Sequence, residues 1–179
     1  MYVVIAMLVM HVIYVIWKMF AKYVRDFGAK AYVFDPYVES NVIDENLIYT
    51  NSLFELCKVS DAISIHVHVN PETKLMVNTK FLDNCKKNVS IINTARGEII
   101  NENVLLDFLK INKESKYFTD VISNEISGRS ESPIYEEFIK GNMEEQIFIT
   151  PHIGGMTHDA RNIAYNHAAE LLINSIKNE

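Results

Sequence analysis

The sequence predicts an α/β protein: a doubly wound parallel sheet forming a single domain, followed by a long carboxyl-terminal helix. Three observations predict it. Short apolar runs alternate with helical patterns along the whole chain. The run Val89–Ile92 has no polar alternation, as expected of a strand buried on both faces. And the runs stop abruptly at residues with chemistry: Asp35-Pro36, Asn93-Thr94, Asp120 and Pro151-His152. Right-handed crossovers would bring all of these stops to one rim of the sheet.

Taken in order, residues 1–9 read as a strand from their apolar and β-branched content. A helix over residues 14–27 follows, with Phe20, Val24 and Phe27 on its inner face and Gly28 as its stop. Residues 30–34 form the second strand, and residues 42–50 fit no single pattern. Ser52 and Glu55 form a capping box for a short helix to Lys58. Residues 61–68 alternate and read as a strand. Asn70-Pro71-Glu72-Thr73 is a loop, Thr79 caps a helix to about Lys86, and the strand at 89–93 comes next.

Asn101 caps a helix over 102–110 with Val104, Leu105, Phe108 and Leu109 inward. Residues 117–122 are a strand, and Ser132-Pro133 opens a helix that Gly141 ends. Residues 146–150 are the last strand. Thr157 then caps the helix 158–177, with Ile163, Ala164, Ala168, Leu171, Leu172 and Ile176 at helical spacing. The domain therefore spans residues 1–157, and residues 158–179 form the terminal helix.

Composition excludes several classes. Hydrophobic residues make up 49% and charged residues 22%, a globular balance. The net charge of −6 and the lack of a basic stripe exclude nucleic acid as the main partner. Cys57 and Cys85 lack metal-ligand spacing and read as packed, reduced thiols of a cytoplasmic protein. The six histidines form no zinc pattern, so no metal is expected. Met1–Trp17 carries no charged residue and reaches the lower length limit of a membrane-spanning helix. The alternative is a buried strand running into the first helix, and the alternation downstream favours it.

The rim residues carry the chemistry. Asp35 can accept hydrogen bonds from ribose hydroxyls and repel a 2′-phosphate, which favours NAD over NADP; Asp-Pro is also a common turn opener. Arg96 is a permanently charged fork suited to a carboxylate. Glu125 and His152 follow separate strands and can converge on it. Arg96 would bind and polarise a keto acid, His152 would exchange its proton, and Glu125 would orient the imidazole. The hydride requires a nicotinamide, because no side chain can supply one.

Five stretches resemble the D-isomer-specific 2-hydroxyacid dehydrogenases in family order. They are FGAKAYVFDPY at 27–37, SDAISIHVHVNPET at 60–73, NTARGEIINENVLLDFL at 93–109, YFTDVISNE at 117–125 and TPHIGGMT at 150–157. The resemblance implies a Rossmann-like fold and a hydride transfer between NAD and a small 2-hydroxy or 2-keto acid. It implies Arg96, Glu125 and His152 as the catalytic set, and cofactor contacts at Asp35, His66, Thr94, Ala95, Arg96, Asp120, His152 and Gly154. It also implies a cytoplasmic homodimer with no nucleic acid or membrane partner. His68 stands where the family usually has proline, and a structural or exposed place is expected for it.

Two departures qualify the resemblance. The three phosphate-loop glycines would fall at Val12, Tyr14 and Trp17, whose side chains fill the space a pyrophosphate needs. Weakened NAD binding is expected. The family segment that builds most of the substrate domain has no counterpart before residue 1, leaving one cleft wall to another chain and the apolar side of the terminal helix exposed. The alternative function is therefore a truncated, weakly active or inactive remnant acting as a dimerising module.

Overall fold

The computed structural model describes residues 4–9, 14–37, 47–125, 131–155 and 157–177. Val12, residues 42–46 of the stretch 42–50 that fits no single pattern, and residues 126–130, ahead of the helix opened by Ser132-Pro133, lie outside them. Strands β1 (Val4–Val9), β2 (Lys30–Phe34), β3 (Ile48–Tyr49), β4 (Ala62–His66), β5 (Ser90–Asn93), β6 (Lys116–Thr119) and β7 (Ile147–Ile149) form one parallel sheet. Their order is β3-β2-β1-β4-β5-β6-β7. The winding reverses between β1 and β4, and at such a reversal the crevice beyond the carboxyl ends accepts ligands.

Six helices are present among the described residues: α1 (Tyr14–Asp26), α2 (Leu53–Val59), α3 (Thr79–Asp83), α4 (Glu102–Ile111), α5 (Pro133–Ile139) and α6 (His158–Lys177). The stretch at the amino terminus thus divides into a strand and a helix. No helix among the described residues is long and apolar enough to cross a membrane.

Two apolar clusters hold the layers together. On one face, side chains of α2 to α5 pack against the central strands through Leu56, Ile63, Ile65, Phe81, Ile91, Leu105, Leu109 and Ile134. On the other, Ala21 of α1 meets Ala31 and Val33 of β2 and Leu47, with Phe20 of α1 packed against them. Cys57 and Cys85 lie inside the first cluster as free thiols. Interaction with the Cys57 thiol, together with burial, pushes the Cys85 thiol up from its ordinary value.

Capping explains where most helices start. Asn101 Oδ1 accepts from Val104 N, Ser132 Oγ from Tyr135 N, and Thr157 Oγ1 from Ala160 N. Gly28 ends α1 with φ +83°, a conformation costly for any residue with a Cβ. Its N–H donates to Arg25 O, and Ala29 N–H donates to Val24 O.

Several expectations are corrected. Phe27 lies beyond the last turn of α1 and is 90% exposed, because the stop at Gly28 comes before it can fold inward. The cap of α3 is Asn78, one residue before Thr79; its side chain accepts from Phe81 N. The Ser52–Glu55 box is half formed: Ser52 Oγ accepts from Glu55 N, while the Glu55 carboxylate accepts from Thr50 Oγ1. Strand β4 ends at His66 and is buried on both faces, Ile63 and Ile65 packing into the cluster with α2 to α5 and His66 meeting Phe20 of α1 on the other side, so the alternation read over 61–68 does not mark a solvent face. The strands read over 117–122 and 146–150 are shorter, at Lys116–Thr119 and Ile147–Ile149.

Helix α6 stands out from the sheet. Ile163, Tyr165, Leu171 and Ile173 are each at least half exposed. The side chains of Leu172 and Ile176 lie outside the described residues. The α1-side face of β5–β7 is also incompletely covered. Phe118 and Phe148 stack there at 4.7 Å, and Phe148 is exposed.

Candidate active site

The carboxyl ends of β5, β6 and β7 lie side by side, so the segments that follow them meet. Strand β5 ends at Asn93, whose amide turns the chain: Oδ1 accepts from Ala95 N, and Nδ2 donates to Arg96 O. Arg96 is exposed, and its Nη1 donates to Ala95 O at 2.7 Å. Among the described residues it has no carboxylate partner within ion-pair distance. Its fork therefore remains available to an anion.

Gly97 sets the position of this cation. A Cβ built on Gly97 would lie 2.1 Å from the Ile122 carbonyl carbon and 2.4 Å from Ser123 N. The two loops thus touch backbone to backbone, and only glycine permits it. Three residues beyond that contact stands Glu125. Its Oε1 accepts from Ile122 N, folding the loop on itself.

Glu125 Oε2 lies 2.6 Å from His152 Nδ1, with both side chains partly shielded at 22% and 42% exposure. This contact fixes the ring and leaves Nε2 as the nitrogen open to a substrate. His152 itself has φ +57°, an uncommon value outside glycine, which marks a residue held in place by its surroundings. The holding group is Asp120. Its Oδ1 accepts from Thr150 Oγ1 at 2.5 Å and Ile153 N at 3.0 Å, and its Oδ2 accepts from Gly154 N at 2.9 Å. Partial burial would raise the Asp120 carboxyl. The hydrogen bonds from Thr150, Gly154 and Ile153, with the charge of His152, outweigh it and hold the group below its ordinary value of 3.8.

Arg96, Glu125 and His152 are thus linked through contiguous contacts. Thr94 is exposed, and Ala95 is buried. Asp35 and His66 stand apart, at the winding reversal. Asp35 follows β2 and accepts from Tyr37 N at 2.9 Å, the Asx turn that a turn-opening Asp-Pro also predicts. His66 ends β4 opposite Val9 of β1, with Nε2 2.9 Å from Ser64 Oγ and its ring 5.7 Å from that of Phe20. Burial lowers the His66 imidazole from 6.5 to about 4, so it is neutral at pH 7. His68 is exposed, in agreement with the sequence.

The sequence did not reveal Glu102. As the first residue of α4 it reads as a helix-dipole acid. It is in fact buried, accepting from Ser123 N at 2.8 Å and Ser132 Oγ at 2.6 Å. It ties the Glu125 loop to the cap of α5. An invariant signal of this role is absent from spacing alone; only its burial shows it.

The family model of the D-isomer specific 2-hydroxyacid dehydrogenase, NAD binding domain, matches residues 15–154. The chain belongs to this family. It is 30% identical over 155 residues to D-3-phosphoglycerate dehydrogenase of Mycobacterium tuberculosis, covering 87% of this chain and 28% of that one. A D-isomer specific 2-hydroxyacid dehydrogenase of Lactobacillus delbrueckii, solved as its NAD complex, superposes with a TM-score of 0.77 at 25% identity over 96% of this chain and 54% of that one. A D-isomer specific 2-hydroxyacid dehydrogenase from Polaromonas does so with a TM-score of 0.77 at 26% identity, covering 96% and 51%. The chain therefore spans less than a third of the curated relative and about half of these solved neighbours.

Two measurements check the site's supports. Gly97→Ala forces Ile122 or Ser123 to move and is expected to cost about 3 kcal/mol or more in urea unfolding. A cost below about 1 kcal/mol would contradict the backbone contact. For His66, the folded state resists protonation that the unfolded chain accepts. Its contribution is complete above pH 6.5 and is lost as pH falls towards 4, by about 3 kcal/mol. Asp120 adds its loss only at lower pH, around and below 3.8. Stability curves of wild type and His66→Asn between pH 7 and 4 should differ in slope by close to one proton; equal slopes would contradict the buried neutral imidazole.

Proposed function

We propose that this chain forms the cofactor half of an NAD-dependent 2-hydroxyacid dehydrogenase that interconverts a small 2-keto acid and its 2-hydroxy acid. The observation that carries this reading is the 2.6 Å Glu125–His152 contact, with Arg96, a cation with no carboxylate partner among the described residues, on the loop whose Gly97 abuts the Glu125 loop. In this reading residues 1–157 are the cofactor domain, and residues 158–179 lead to a substrate domain. The protein works in the cytoplasm as a homodimer, which the exposed apolar residues of α6 and β7 support.

Arg96 binds the substrate carboxylate and draws electron density from the adjoining carbonyl. His152 donates a proton from Nε2 to the carbonyl oxygen, and Glu125 stabilises the charge that the ring carries before transfer. NADH, when bound, supplies the hydride to the carbonyl carbon. In the reverse direction His152 takes the proton from the hydroxyl.

The residues present fit NAD at both of its ends. Asp35 offers a carboxylate at the carboxyl end of β2 to the ribose hydroxyls, with no arginine next to it in sequence to welcome a 2′-phosphate. A carboxylate has about four acceptor sites, and donors among the described residues fill three of those on Asp120. The fourth can receive the amide of a nicotinamide carboxamide. Thr94, Ala95, His66 and Gly154 lie along the same rim. Between the ends, Tyr14 and Trp17 occupy the first turn of α1 where the family pattern has glycines, and Val12 precedes them. That departure favours weak cofactor binding and supports the second reading, a dimerising remnant.

Calorimetric titration with NAD and NADH, followed by NADH oxidation with pyruvate, glyoxylate, hydroxypyruvate and phosphohydroxypyruvate, separates the readings. Nucleotide binding is expected, with turnover lost in His152→Asn. Full turnover in that variant would overturn the proton-transfer role, and no nucleotide binding would leave the remnant. Replacing Val12, Tyr14 and Trp17 together by glycine should tighten NADH binding by about tenfold or more. No gain would show that these side chains do not obstruct the phosphates.

A further inference from the structure

A hydrogen bond joins the two loops that flank the carboxyl end of β1. Tyr37 Oη donates to Glu72 Oε2 at 2.7 Å, across 35 residues of sequence. Tyr37 follows β2 and Glu72 follows β4, and these strands lie on either side of β1. Neighbouring strands are about 5 Å apart, so the link spans roughly 10 Å across the place where the winding reverses.

Both ends of the link are built. The backbone N–H of Tyr37 is fixed by Asp35 Oδ1 at 2.9 Å. The backbone N–H groups of Glu72 and Thr73 donate to Asn70 Oδ1 at 2.8 and 2.9 Å. Thr73, buried, returns a hydrogen bond from Oγ1 to His68 O at 2.5 Å. Two rigid turns thus present one phenol and one carboxylate to each other.

We infer that Tyr37 and Glu72 form a latch over the adenosine end of the crevice, gating entry and exit of the adenosine half of a dinucleotide. The inference rests on the proposed cofactor role. Asp35, the acceptor offered to the ribose diol, lies two residues from the phenol, so an adenosine reaching that carboxylate passes the link. The pair is exposed to water, and such a hydrogen bond is shallow, worth only a small factor in rate. A shallow barrier crossed in both directions changes association and dissociation together and leaves affinity nearly untouched. Direct contact with bound nucleotide would instead alter dissociation alone.

Stopped-flow binding of NADH and of ADP-ribose, followed by the fluorescence of the single tryptophan, Trp17, distinguishes these cases. Wild type is compared with Tyr37→Phe and Glu72→Ala, each first checked for an unchanged thermal midpoint. Both variants should raise the association and dissociation rate constants by about threefold, with Kd within about twofold of wild type. Unchanged rates, or a change confined to dissociation, would overturn the latch while leaving the cofactor role intact. Failure of both ligands to bind wild type and variants alike would overturn the cofactor role and the latch with it. Binding that appears only in the variants would also overturn the latch, because the link would then set affinity and not rates.

Discussion

Two backbones meet at Gly97 with no space for a single methyl group, and the rest of the rim depends on that contact. The segment after β5 carries the arginine, and the segment after β6 carries the glutamate. Ile122 lying on Gly97 brings the two loops into one wall. The sheet supplies the first approximation, because adjacent parallel strands end side by side. The glycine supplies the close approach that strand spacing alone does not. Glu102 then clamps the second loop from below through Ser123 and Ser132.

Three carboxylates divide the labour at this rim. Glu102 is buried and structural; its charge is met by hydroxyl and backbone donors. Asp120 is a scaffold that gathers Thr150, Ile153 and Gly154 and so holds His152 in its left-handed conformation. Glu125 faces the imidazole directly. The same side-chain chemistry thus serves three roles, decided by which donors surround it. Hydrogen bonds within the protein itself position these groups, which lowers the reorganisation that catalysis would require.

Much of this was legible in the sequence. Strand–helix alternation gave the parallel sheet, and the abrupt ends of the apolar runs placed Arg96, Glu125 and His152 on one rim. Caps were legible where a single Asn, Ser or Thr had one plausible turn to serve. They were misplaced by one residue at Asn78-Thr79, where two competent caps adjoin and only packing chooses between them. Phe27 was misread because apolar periodicity does not register that the helix has already stopped. Glu102 was invisible as a clamp, because burial of a carboxylate depends on loops that come together from 21 and 30 residues away. The Tyr37–Glu72 link was equally hidden, being a product of strand order rather than of local pattern.

The proposed chemistry rests on the Glu125–His152 contact being formed within the protein itself. Proton NMR of the imidazole N–H groups tests it most directly. The short Glu125–His152 contact predicts a downfield, slowly exchanging Nδ1 proton in the wild-type chain, absent in Glu125→Ala and preserved in Tyr37→Phe. No such resonance in the wild type, or one that persists in Glu125→Ala, would contradict the account.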